Sequence, residues 1–275
     1  MTTSPPRLQR ASGESRVAFA VREGKTRLAD LYQRDPCRVL FPDPEPGEPP
    51  QAVLVTTSGG VAGGDRLRME VAAGPGAHAI VSTQAAEKIY RAAPGSEPCR
   101  IDVAIAVETG AILDWLPQET IVFQGARLTR RTVAEVAPGA SLLGCEMVVL
   151  GRGASGERFA SGLLLDSWSV RRAGRLAWTD TLRVEGEAPG GAGFGSANAL
   201  ATVIGVWDAP EPYFERARAL LDDAGEARRD VRAGVTLVNG VLVARLLGEA
   251  TAVRAAAIAF LTTFRGQRLP RVWHV

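Results

Sequence analysis

The sequence predicts a mainly β protein, a β-helical or layered β-sheet architecture with two α-helices in its C-terminal third. Three observations carry this. Alternating apolar and polar stretches recur along most of the chain, as half-buried strands require. A glycine turn repeats within V-A-A-G-P-G-A at Val71 to Ala77, V-E-T-G-A at Val107 to Ala111 and V-A-P-G-A at Val136 to Ala140, with a looser copy, V-R-R-A-G-R-L, at Val170 to Leu176. Helical signals gather only near the end. The repeat glycines fall at 76, 110, 139 and 174, in steps of 34, 29 and 35 residues. Periods of this size suggest stacked β units. The unequal steps leave open a plain antiparallel meander with similar turns.

Taken in order, residues 1–15 are polar and expected to be loose. Arg16 to Glu23 alternates as a strand, and Gly24 to Leu28 reads as a turn into a second one. Phe41 to Pro50 holds five prolines and three acids, which excludes a central strand or a helix interior. Val53 to Val55 leads into four glycines, Gly59, Gly60, Gly63 and Gly64, closed by Asp65. Leu67, Met69 and Val71 then alternate outward. Glycine reaches φ > 0 without a Cβ clash, so this is strand, tight turn, strand. Asp208 to Pro212 opens a helix with the apolar stripe Phe214, Ala217, Leu220 and Leu221. Asn239-Gly240 between apolar runs marks a hairpin. A second helix spans about Glu249 to Phe264 and ends at Gly266.

Composition bounds the function. A chain of 275 residues with 46% hydrophobic content fits a single domain spanning 1–275. The net charge of +2 is nearly neutral and the arginines form no run. That argues against a nucleic-acid face or a polybasic membrane anchor. The N-terminus lacks an apolar signal region and no stretch is long enough to span a membrane, so a cytoplasmic location is expected. Cys37, Cys99 and Cys145 are far apart and read as reduced thiols. His78 and His274 cannot supply a clustered imidazole site.

Two glycine motifs invite a nucleotide reading. The loop after Val55 lacks the Lys-Ser/Thr of a phosphate loop, and Asp65 would repel phosphate. Gly151 to Gly156 matches G-x-G-x-x-G but is followed by a strand-like run rather than a helix, so the match is read as accidental. Phe194, within a glycine-rich loop, is read as a core residue or an interface anchor. The acids beside turns and apolar strands, Asp65, Asp114, Glu119, Glu146 and Glu157, form the chemically interesting group. Each is either a solvated or hydrogen-bonded acid, with Arg66 and Arg152 as nearby partners, or part of a carboxylate-lined passage. A paired-carboxylate hydrolase on a β-solenoid and a generic β-rich interaction module remain open at this point.

Gly59 to Asp65 (G-G-V-A-G-G-D) and Thr83 to Arg91 (T-Q-A-A-E-K-I-Y-R) resemble blocks of the urease accessory protein UreD family, also called UreH. The resemblance continues through Leu116 to Ile121, Glu146 to Arg152 and the ending Leu269 to Trp273, five blocks in order. Glu87 departs from it, since a small hydroxylated residue is expected there. The resemblance implies a scaffold for urease maturation and not an enzyme. It implies binding to the urease apoprotein and to UreF, with the GTPase UreG joined through UreF. It implies a β-helical fold with two helices and an internal route for nickel in transit, with no tightly bound cofactor. Carried onto this chain, that route would involve Asp65, Glu119 and Glu146. Trp273, in a segment too apolar for a free tail, would pack on the body or on a partner.

Overall fold

The computed structural model describes residues 10–187, 193–227 and 230–274. The strands are β1 (Ser12–Arg22), β2 (Lys25–Arg34), β3 (Cys37–Leu40), β4 (Gln51–Thr56), β5 (Arg66–Ala73), β6 (His78–Thr83), β7 (Glu87–Ile89), β8 (Cys99–Val107) and β9 (Ile112–Leu116). They continue with β10 (Thr120–Val122), β11 (Arg127–Val136), β12 (Ser141–Leu150), β13 (Leu163–Arg172), β14 (Arg175–Glu185) and β15 (Ala199–Val206). Helix α1 (Glu211–Ala227), the hairpin β16 (Val231–Val238) and β17 (Val241–Gly248), and helix α2 (Ala250–Arg265) complete the chain. The protein is thus mainly β with two helices in its C-terminal part. No helix among the described residues is long and apolar enough to cross a membrane.

The strands form two sheets. The first has the order β14-β13-β11-β8-β5-β1-β2, and the second β16-β17-β15-β12-β9-β6-β4-β3, with β7 and β10 beside it. In the first, β1, β5, β8, β11 and β13 run parallel. In the second, β4, β6, β9 and β12 do. Parallel neighbours cannot be joined by a hairpin. Here the chain leaves one sheet, runs a strand in the other, and returns.

The repeated glycines make these crossings. Gly76 lies between β5 and β6, Gly110 between β8 and β9, and Gly139 between β11 and β12, all at positive φ (67, 73 and 75°). The turns stack on one another. Gly76 N–H donates to the Thr109 carbonyl at 3.0 Å, Ile112 N–H to Ala77 at 2.8 Å, and Ser141 N–H to Ala111 at 2.8 Å. Gly174 has the same conformation but closes the antiparallel β13–β14 hairpin, because β14 stays in the sheet of β13.

Burial separates the two sheets. The first alternates, as in β8 and β11, with one face on the core and one in solvent. The second is buried on both faces in its central strands, with β12 buried along nearly its whole length, while the edge strands β16 and β3 are partly exposed. Its inner face meets the first sheet in the main core. Its outer face is covered by Ala217 and Leu221 of α1, by Phe260, Leu261 and Phe264 of α2, and by Leu269 and Trp273. The α2 stripe Val253, Ala256, Ala257, Phe260, Leu261, Phe264 has the 3–4 spacing of one helical face. Glu249 caps the helix by accepting from Thr251 N at 2.9 Å and Ala252 N at 3.3 Å, and Gly266 ends it at φ 67°.

One local expectation changes, at the N-terminus, and two hold, at Gly153 and at Phe194. Strand β1 begins at Ser12, inside the 1–15 stretch expected to be loose, and Ser15 is buried. Residues 1–9 lie outside the described residues. Gly153–Ser155 is a short 3₁₀ turn with no helix after it, as an accidental dinucleotide match requires. Phe194 is buried in the main core and anchors nothing outside it.

These glycines differ in what a side chain would meet. Gly110→Ala adds a Cβ that meets only the Gly76 backbone, at an ordinary contact distance of 3.7 Å, so only the left-handed backbone is strained, at a cost of about 1–2 kcal/mol. Gly162, just before β13, has φ 137°, and a Cβ would stand 2.4 Å from the Ala126 carbonyl and 2.7 Å from the edge of the Phe159 ring. Gly162→Ala is therefore expected to cost about 3 kcal/mol or more. Urea unfolding of both variants checks the order.

Candidate functional site

One charged cluster interrupts the apolar layer between the sheets. Arg130 on β11 and Asp166 on β13 are direct neighbours in the first sheet. Both sit at inward positions of their strands, in step with buried Leu128 and Thr132 and with buried Leu164 and Trp168. Arg130 Nε donates to Asp166 Oδ1 at 2.9 Å and Nη2 to Oδ2 at 2.5 Å, a bidentate pair. Nη1 donates to Thr120 Oγ1 at 2.9 Å. Glu146 of β12 reaches across from the second sheet, with Oε2 3.0 Å from Arg130 Nη2. It also accepts from Trp168 Nε1 at 2.9 Å, Trp115 Nε1 at 3.2 Å and Thr132 Oγ1 at 3.3 Å.

Four donors on one buried carboxylate compensate much of its desolvation. Burial pushes Glu146 above its ordinary range, Arg130 opposes that, Asp166 adds to it, and the two indoles oppose it. Burial also works against the Arg130 charge, but Asp166 and Glu146 outweigh it and hold the guanidinium protonated. With one cation and two carboxylates, the cluster carries net charge −1 when ionised. Beside it lies a cavity of about 30 Å³ bounded by Glu146, Asp166, Trp168, Asp180 and Thr202. At its outer side Asp180 pairs with Arg245 at 2.5 Å on the surface.

The other two acids of the expected nickel route stand elsewhere. Asp65 is buried, with Oδ1 accepting from Ala11 N and Oδ2 from Ala62 N, both at 2.8 Å. It closes the glycine turn and pins the chain entering β1. Glu119 pairs with Arg254 of α2 at 2.5 Å, tying the β9–β10 connection to the helix. Asp114 pairs with Arg265 at 2.6 Å, and Glu157 with Arg152 at 2.6 Å. Every acid singled out from the sequence thus has a partner. For Asp65, Glu119 and Glu146 these are backbone amides, Arg254 and Arg130, rather than Arg66 or Arg152. Among the described residues no three His, Cys, Asp or Glu side chains converge as a metal site. The three cysteines are free and buried, and burial pushes Cys37 up to about 11 and Cys99 and Cys145 to about 12. They are neutral thiols at neutral pH, poor metal ligands and poor nucleophiles.

Two further expectations are placed. Trp273 is 2% exposed, donates Nε1 to the Leu116 carbonyl at 2.9 Å, and lies under Arg254 at 5.4 Å. It packs on the body and offers no ring to a partner. Glu87 lines a cavity of about 210 Å³ together with Thr56, Gly60, Thr83 and Lys88, where the blocks 55–64 and 83–91 meet. Its Oε2 accepts from Thr56 Oγ1 at 2.7 Å, and burial pushes its carboxyl above the ordinary value. Arg130 and Asp166 were missed in the sequence. Their only signal was a charge at an inward position of the strand alternation.

Residues 11–274 match the family described as UreD urease accessory protein. A urease accessory protein UreD of Magnetococcus marinus is 40% identical over 97% of this chain and 95% of its own length. That of Azorhizobium caulinodans is 43% identical over 98% of each chain. A UreD 2 of Methylorubrum populi is 41% identical over 98% of this chain and 92% of its own.

The cluster and the Glu87 pocket each make a prediction. Arg130→Leu leaves Glu146 and Asp166 buried without their cation, and is expected to destabilise the fold by about 3–5 kcal/mol in urea unfolding. For Glu87 the folded-state value is raised above 4.5. The native state then holds the proton more tightly, so stability is lost as pH rises from 4.5 through the folded-state value. Glu87→Gln is thus expected to unfold at a higher temperature than the parent at about pH 7.5, with the gap closing as the pH falls toward 4.5. A constant gap across that range would assign the effect to packing.

Proposed function

The chain belongs to the UreD urease accessory protein family, and from that premise we propose that it is a cytoplasmic scaffold on which urease receives its nickel. In this reading it binds the urease apoprotein and UreF, with UreG joined through UreF. We read the alternating parallel crossings as a short β-helical coil, whose stiffness suits a platform for several partners. The observation that carries the nickel part is the charged cluster between the sheets. With both carboxylates ionised, the cluster is net negative beside a small cavity. Oxygen ligands hold nickel more weakly than imidazole or thiolate do, so such a site passes the ion on rather than storing it. Nickel here is cargo, not a resident cofactor.

We assign the transit role to Glu146, with Asp166 as its second carboxylate. Asp65 and Glu119 have structural roles, given their partners. Arg130 limits how strongly the site attracts a cation, which favours release.

The test is made in cells expressing urease with its full accessory set. Omitting this chain should leave urease nickel-poor and inactive, and restoring it should recover both. With Glu146→Gln, nickel per assembled urease is expected to fall about threefold or more at limiting nickel and to recover partly when nickel is raised, by mass action. Complex yield and the unfolding midpoint are measured on the same variant, because the glutamine amide faces donors and costs about 1–3 kcal/mol. Unchanged nickel per assembled urease would remove Glu146 from the route.

A further inference from the structure

The outer face of the second sheet is covered from β17 across to β6 by the two helices and the C-terminal segment. Beyond them only the edge strand β3 is left open, since β4 is buried and its outward residue Val53 is 5% exposed. Leu40 and Val53 pair across these strands and point outward, opposite to Val39, Ala52 and Leu54 in the main core. Leu40 is 54% exposed and its neighbour Phe41 is 41% exposed. Two adjacent large apolar side chains here form a patch rather than scattered exposure. They open into a groove of about 400 Å³.

The walls are fixed beforehand. One is the 41–50 loop, whose five prolines hold it without strand or helix. The other is Pro270 to Val272, anchored because the next residue, Trp273, is buried and bonded to Leu116. A preformed groove saves the ordering cost of binding. The rim is acidic. Asp43 and Glu48 line the groove, and Glu45 stands beside them. Arg271, the cation of the rim, is taken by Glu45. Asp43 and Glu48 form no ion pair among the described residues, and Glu48 accepts only from Gln51 Nε2 at 2.8 Å and from Glu45 N.

We propose that this groove docks a segment of a partner protein that presents a pair of apolar side chains flanked by lysine or arginine. The floor supplies apolar contact and the rim selects the charge. A second copy of this chain fits poorly, because a twofold contact would set the acidic rim against itself. The proposal concerns a surface remote in the fold from Glu146 and does not depend on nickel transit.

A photo-cross-linking amino acid at position 41 of the full chain tests it, in cells co-expressing urease and its accessory proteins. Position 40, more exposed still, carries the same probe if the first variant folds poorly. The expected product is an adduct with a different protein whose cross-linked peptide carries lysine or arginine next to apolar residues. The yield should drop about tenfold with Asp43→Lys and Glu48→Lys together, while the unfolding midpoint holds. An adduct with a second copy, or with a small apolar molecule, overturns the proposal. So does an acidic cross-linked peptide, a yield insensitive to charge reversal, or no adduct. A cross-link that persists where the chain fails to support urease activation would sink the maturation reading alone.

Discussion

Each time the chain leaves one sheet for the other it turns within a few residues, at a backbone conformation that disfavours side chains. Gly76, Gly110 and Gly139 meet that constraint at successive crossings. Because each turn hydrogen-bonds to the next, the strands they release are held in parallel register. The register in turn fixes which side chains face inward. Arg130 and Asp166 become neighbours only because β11 and β13 pair parallel with that alignment. The charged cluster is thus a consequence of the turns.

The same geometry explains why the two sheets differ. The first sheet needs only one apolar face and keeps its alternation. The second lies in the middle, so both faces of β12 and β15 must be apolar. It stays closed to water only where something covers its outer side. The helices and the C-terminal segment do this work, and Trp273 is the pin, with its indole N–H donated to Leu116 and its ring under Arg254. Where the cover stops, at the edge strand β3, Leu40 and the following Phe41 are left in the open.

Much of this was legible in the residues. The helices were marked by Pro210, Glu249 and Gly266, the hairpin by Asn239 and Gly240, and the crossings by the repeating glycines. These are local signals, since turns and caps are specified by neighbouring residues. The site was legible only in part. Glu146 drew attention as an acid in an apolar run, but its partner Arg130 is sixteen residues away in sequence and on the opposing sheet. Asp166 is farther still. Ion pairing between sheets depends on register, and a single sequence states no register between distant strands. The partners of Asp65 were hidden for a similar reason: Ala62 is local, but Ala11, whose amide binds its other oxygen, is 54 residues away in sequence. Gly174 shared a local pattern with the crossing turns while serving a hairpin, because the turn does not determine which sheet receives the next strand.

Stability alone does not account for the cluster. A buried ion pair is held at a desolvation cost of several kcal/mol per charge, and well-packed apolar residues of similar volume would often hold the sheets as well or better. A simple pair would at least be neutral. This cluster has two carboxylates to one guanidinium, so one carboxylate is left without a cation of its own, and burial works against its charge. Two tryptophans are spent in orienting Glu146, with their N–H groups donated to a carboxylate rather than to carbonyls. Such an arrangement costs packing freedom on both sheets at once. Its use, on the proposed transit reading, is as a brief station for a cation. A rigid frame would serve that use by holding both carboxylates on Arg130. The stacked turns and the helix-covered second sheet supply that rigidity.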